Sequence, residues 1–454
     1  MPWVAGVAFV GAFVSRSVWL SEAQFHPDES TVLWMALDAV RDLRIPDHGL
    51  ISTYRVFQPP GLVWVTMPFV AIGRGRPEIV ILGFAALNAA AIAFLVATVA
   101  RLWGLAYAVA LGAFLVVGPD AAMSALVWHP SLYTAAAALM LAAGIRLRDG
   151  SPWWSAVLVA VPGMYALVHY SGIVLFAPAV VLLLLGRRRW RELSRPLAVA
   201  SVVVVVAWTP FLSFEVDRDW VDLRTVVSAA DSAPSILSGV EERLADLRFA
   251  VTHLGRSIHE TVWLTPVLWV GVLAALALAV ADRRWRDPGF AIPAAMVAAG
   301  VAGQVATDQG ERTDVLMLWL VPLYALSAWA AARISELAVV RERGRRSATA
   351  LPALVAVVVA VVGTVDLVHA IRATPGDQRL GAQWREARAG SPVAYPAALD
   401  PRESANRFYL PCDPPYDWGS EVWYLREALR PGAGIDAAEK RGAFAARTGA
   451  PCAR

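Results

Sequence analysis

Two carboxylates, Asp28 and Glu29, stand side by side just after the first apolar run of the chain, and they are the residues best suited to proton chemistry. An ionised acid that faces a partly desolvated space accepts protons or holds a cation, and it needs a partner or a task to stay there. The same stretch, Phe25 to Trp64, carries Tyr54, Arg55 and Gln58 just ahead of Pro59 and Pro60. Further on, His129, His169 with Tyr170, and Arg312 lie at the ends of apolar runs. An imidazole there is either an interfacial residue or a ligand, and a guanidinium either pairs with a neighbouring acid or grips an oxyanion with two parallel hydrogen bonds.

The element that must position the acid pair is a helix. Pro27 suits a first helical position, and acids in the first turn face the positive end of the helix dipole, a placement that by itself contributes about 0.3–1 kcal/mol. From there Val32, Met35, Ala36 and Ala39 recur at helical spacing, while Thr31, Asp38, Arg41 and Asp42 fall on the other side. This pattern predicts an amphipathic helix along a surface, with Asp28 at the head of its apolar stripe.

The rest of the chain is membrane-like. Its 454 residues are 57% hydrophobic and 17% charged, with 19 Trp, and the mean hydropathy is +0.53. About a quarter of a soluble domain would be charged. The composition therefore predicts an all-α polytopic membrane protein of about eleven transmembrane helices, with interfacial helices and a small extracytoplasmic C-terminal region. The spans fall at residues 2–20, 79–100, 104–118, 131–145, 153–169, 172–186, 196–213, 262–281, 289–306, 314–332 and 349–370. The first is read as a retained span, and the segment 61–72 is too short to cross comfortably. Residues 1–370 form the transmembrane domain, with loops at 21–78 and 214–261 on the outer side, and 371–454 form an extracytoplasmic tail or domain holding Cys412 and Cys452.

The net charge of +3 raises nucleic acid as a partner, but the basic residues gather at span ends and are better read as topology signals. One set of loops holds Arg101, Arg146, Arg148, Arg187 to Arg189, Arg283, Arg284, Arg286 and the run from Arg333 to Arg346. By the positive-inside rule these loops and the N-terminus are cytoplasmic, while the acid pair, His129, His169, Arg312 and the C-terminus face outward. No P-loop, dinucleotide or metal-cysteine motif occurs.

The order of these features resembles the C-type (GT-C) membrane glycosyltransferases, nearest the aminoarabinose transferase and protein O-mannosyltransferase branches. Pro27-Asp28-Glu29, an amphipathic helix and Gln58-Pro59-Pro60-Gly61 match the family's opening, and Trp128-His129-Pro130-Ser131, Tyr170-Ser171-Gly172 and the stretch from Arg312 to Pro322 match later landmarks. Gln58 stands where the family has Lys, Phe57 where an acid often precedes it, and His129 where Asp is usual. These departures bear on the sugar and on any metal more than on the reaction class.

The resemblance implies transfer of a sugar from a polyprenyl-phosphate donor to an extracytoplasmic acceptor hydroxyl on a protein, glycolipid or envelope glycan. Asp28 is then the base and Glu29 its orienting neighbour or a helix cap. Arg312 is the candidate for the donor phosphate, and Tyr54, Arg55, Gln58, His129, His169 and Tyr170 are candidate substrate-binding residues. No cofactor is certain; if a divalent metal ion binds, Asp28 and His129 are the first ligand pair. A transporter or flippase of lipid-linked sugars and a catalytically inactive relative are the alternatives, although the polar outliers sit at one face and no two-half symmetry shows, which favours the enzyme.

Overall fold

The computed structural model describes residues 2–23, 25, 27–50, 56–118, 120–123, 126–225, 263–306, 317–342, 350–373, 379–389 and 425. Tyr54, Arg55, Arg312, Cys412, Cys452 and most of the 214–261 loop lie outside these residues.

Helices account for almost all of what is described. They are α1 (Pro2–Ser17), α2 (Pro27–Arg41), α3 (Gly61–Gly73), α4 (Pro77–Leu102), α5 (Leu105–Val117), the short α6 (Asp120–Met123), α7 (Tyr133–Asp149), α8 (Trp154–Val168), α9 (Phe176–Leu185), α10 (Trp190–Asp217), α11 (Leu264–Ala281), α12 (Pro288–Ala306), α13 (Met317–Glu342), α14 (Ala350–Ala373) and α15 (Leu380–Ala389). Each of the eleven apolar segments expected as crossings coincides with a helix, and among the described residues six helices are long and apolar enough to span a membrane. The 26 residues of α4, for example, reach about 39 Å, against a hydrocarbon core of about 30 Å. By contrast α3, at 13 residues, reaches only about 20 Å, as its short apolar run predicts.

The core lies where α4 and α7 pack together, flanked by α1, α5, α8 and α13. Small residues allow this: Ala136, Ala137, Ala138, Ala142 and Ala143 of α7 are buried, as are Ala85, Ala89 and Ala91 of α4. Such residues let helix backbones approach closely where lipid removes the hydrophobic drive to associate. The long α10 is different, with Val202, Val203, Val205 and Val206 exposed, a face fit for lipid.

The bundle has two chemically distinct ends. Arg101, Arg146, Arg148 and Arg188 gather at one, where Arg188 donates to the Leu147, Arg148 and Gly150 carbonyls. The head of α2, His129, His169 and Tyr170 lie at the other.

One difference from the sequence reading concerns α2. Thr31, expected on the polar side of α2, is buried together with Ser30, Val32, Leu33 and Trp34. The helix packs against α3, so more of its circumference is covered than a surface helix would show. At the other end of the chain, α15 docks beside the start of α2. Leu380 N donates to Ala23 O at 2.9 Å, Gln383 Nε2 donates to Phe25 O at 3.0 Å, and Arg379 pairs with Glu22 at 2.7 Å.

Candidate functional site

The acid pair opens α2 as the sequence predicts, in the first turn after Pro27. Glu29 is buried, and its Oε1 accepts the Val127 N–H at 3.0 Å. Asp28 beside it is only partly covered. The helix start is thus tied to the segment 126–135, which carries His129.

That segment is anchored a second time. Asn88, buried in α4, donates through Nδ2 to Phe84 O and Ser131 O, and accepts the Ala135 N–H at 3.0 Å. One amide therefore satisfies both its own helix and the entry to α7, a complete use of a buried polar group.

His129 and His169 come together although they are 40 positions apart. Their rings stack with centroids 3.6 Å apart and planes 5° from parallel. The Tyr165 hydroxyl donates to His129 O at 2.6 Å, Ser171 N donates to His169 Nδ1 at 3.1 Å, and Ser171 Oγ lies 3.0 Å from the Tyr133 hydroxyl. With Nδ1 of His169 engaged as an acceptor, this ring is held in one orientation at the start of the 3₁₀ helix Tyr170–Leu175.

Tyr170 reaches out of this cluster and donates to Phe57 O at 2.8 Å. Phe57 also packs edge-on to His48 and Phe214, under the Arg218 guanidinium, so the turn before Pro59 is clamped between the start of the 3₁₀ helix and the end of α10. Gln58 contributes through its backbone: its N–H donates to Leu50 O and its carbonyl accepts from Gly49 N, both at 2.7 Å. Gly61 then lets α3 begin against α8, since a Cβ there would lie 2.5 Å from the Leu167 backbone.

An apolar cavity of about 350 Å³ runs beside Tyr170, between α8, α9 and α10, lined by Gly163, Ala166, Ile173, Val204 and Trp208 among others. Trp208 Nε1 donates to Gly163 O, which fixes α10 against α8 at this point.

Sequence reasoning missed one polar cluster at the same end. Arg16 of α1 and Asp120 of α6 form a buried ion pair at 2.6 Å. Asp120 Oδ2 also accepts from Thr134 Oγ1 at 2.7 Å, and Oδ1 accepts from the Tyr324 hydroxyl at 3.1 Å. Arg16 donates in addition to Leu115 O and Val116 O. Both oxygens of Asp120 are engaged, which suits a structural tie between α1, α5, α7 and α13 rather than a base. The available signal was an arginine inside an apolar run, which needs a partner.

For a metal, the described residues offer no gathering of three or more His, Cys, Asp or Glu side chains. Stacked, parallel imidazoles also direct their nitrogens along separate planes, where two ligands of one ion must converge. The described residues do not make up a metal centre by themselves.

No family model matches the chain, and no curated protein matches it by sequence. Solved structures do. ArnT from Cupriavidus metallidurans bound to undecaprenyl phosphate is similar with a TM-score of 0.56 and 16% identity, over 88% of this chain and 80% of that one. The same protein in its apo state gives 0.55 at the same identity and coverage. An Archaeoglobus fulgidus oligosaccharyltransferase in complex with zinc and sulfate gives 0.50 and 13% identity, over 94% of this chain and 61% of that one. At these identities the likeness is one of fold: the chain has the GT-C membrane architecture that its motif order resembles.

Proposed function

We propose that the chain is an integral-membrane glycosyltransferase that moves a sugar from a polyprenyl-phosphate carrier to an acceptor hydroxyl on the extracytoplasmic side. The observation that carries this reading is the tether from Glu29 to Val127, which sets the half-covered Asp28 at the head of a fixed helix beside the His129 segment. The fold shared with a protein solved with undecaprenyl phosphate supports the donor class.

In the proposed reaction the acceptor oxygen attacks the anomeric carbon as Asp28 takes its proton. The bond from that carbon to the phosphate oxygen breaks, and its electron pair leaves with the polyprenyl phosphate. Attack opposite to the leaving group inverts the anomeric centre. Asp28 acts as a general base, a role typically worth 10²–10⁴-fold in rate. Glu29 positions it through the Val127 amide. Arg312 is assigned to the leaving phosphate, as a guanidinium matches two of its oxygens.

The apolar cavity beside Tyr170 is assigned to the prenyl chain, whose hydrocarbon it can cover at about 25 cal/mol per Å² removed from water. The arginine-rich end is assigned to the cytoplasm. The acceptor is a protein, glycolipid or envelope glycan, and α15, docked beside the start of α2, stands where it could meet one.

The test supplies membranes containing the chain with radiolabelled polyprenyl-phosphate sugars of known anomeric configuration and with native envelope acceptors. Label appearing in an acceptor, with the opposite configuration, supports the reading. Label that crosses the bilayer while still on its lipid, with none transferred, contradicts it in favour of a carrier.

A further inference from the structure

We propose that the arginine-rich end of the bundle carries a phosphate-binding pocket between α4, α7 and the start of α8. A cavity of about 190 Å³ there is lined by Thr98, Arg101, Arg146, Asp149, Ser151 and Trp154 among others. It lies at the opposite end from the acid pair and plays no part in the proposed transfer.

Arg146 is held in one pose. Its Nε donates to Thr98 Oγ1 at 2.9 Å, and its guanidinium lies over the Phe94 ring at 4.7 Å and the Trp154 ring at 5.0 Å. Contact with both rings and a hydrogen bond at Nε leave the two terminal NH₂ groups, which donate to no acceptor among the described residues. Arg101 lines the same cavity, and among the described residues no carboxylate lies within 4.0 Å of either guanidinium. Ser151 Oγ accepts the Trp153 N–H at 3.3 Å, so its own proton remains to be donated.

Two positive groups, the held Arg146 and the exposed Arg101, share the cavity and repel each other until an anion joins them, and a tetrahedral phosphate can take donors from both arginines and the serine at once. Asp149, the one acid in the lining, opposes an anion and provides a sign test. The source of the phosphate is either the headgroup of an anionic lipid or a soluble phosphate. Arg101 in the last turn of α4 and the exposed Leu102 put the pocket at a span end, the level of lipid headgroups.

The experiment uses the full chain in detergent. Native mass spectrometry compares retention of phosphatidylglycerol with phosphatidylcholine, and equilibrium dialysis measures radiolabelled inorganic phosphate. Arg101→Gln, on an exposed side chain, and Arg146→Gln are each expected to lower binding about tenfold, the loss of a charge-assisted contact, while Asp149→Asn raises it. Phosphatidylglycerol retained and displaced by phosphate assigns a lipid source, and phosphate bound without lipid selectivity assigns a soluble one. Equal binding of both probes by wild type and by Arg101→Gln, or weaker binding in Asp149→Asn, overturns the proposal.

Discussion

The buried Oε1 of Glu29 accepts the Val127 N–H at 3.0 Å, joining two residues 98 positions apart. The contact fixes where α2 starts relative to the segment carrying His129, and with it the position of Asp28. Glutamine keeps an acceptor at that place and alanine does not. Glu29→Gln is therefore expected to retain most transfer activity, with Glu29→Ala reduced by about 5-fold to about 150-fold, the equivalent of about 1–3 kcal/mol when the buried Val127 donor is left unpaired and Asp28 loses its placement. A kcat comparison of the two variants checks this, and equal losses in both would assign Glu29 a role for its charge instead.

The Arg16–Asp120 pair should dominate stability at the same end. Removing one partner leaves a charge buried, so Asp120→Leu is expected to destabilise by about 3–5 kcal/mol. The double variant Arg16→Met with Asp120→Leu should recover much of that loss, since an apolar replacement of a buried pair is often tolerated. Thermal unfolding of the purified chain in detergent, with both single variants and the double, measures it.

Tyr170→Phe removes the hydroxyl that donates to Phe57 O while keeping the ring that lines the apolar cavity. The net hydrogen bond is worth about 1 kcal/mol, enough to loosen the turn before Pro59 without unfolding the bundle. Donor KM is expected to rise several-fold with kcat changed less, measured at saturating acceptor.

Gly61→Ala should be harmful for a packing reason. A methyl group there meets the Leu167 carbonyl and the Val168 amide nitrogen at 2.5–2.7 Å, both backbone atoms that cannot swing away. Separating α3 from α8 is expected to cost about 1–3 kcal/mol, the usual range for overpacking, and to lower activity because the Gln58–Pro60 turn leads directly into α3. Unfolding midpoint and transfer rate should fall together.

Much of this architecture is legible in the sequence because apolar runs and arginine placement are local signals. Pro27, Asp28 and Glu29 mark the start of α2, and the eleven apolar segments each fall on a helix. What periodicity identifies is a face, not what covers it. Periodicity puts Thr31 among the polar residues of α2, yet it is buried, because α3 and its surroundings cover more of the helix than an apolar stripe requires. The ties of Asp120 to Arg16 and to Tyr324 and the stack of His129 on His169 join positions 40 to more than 200 apart, and nothing in the local pattern selects those partners. Arg16 alone carried a signal, as a cation inside an apolar run.

The most direct test of the account is sugar transfer by Asp28→Asn beside wild type at matched expression, with radiolabelled polyprenyl-phosphate sugar and envelope acceptor. Asparagine preserves size and polarity but cannot take the acceptor proton. The account predicts a kcat lower by about 10²-fold or more, with donor binding retained. Transfer at the wild-type rate in the variant would remove Asp28 from the chemistry and contradict the account.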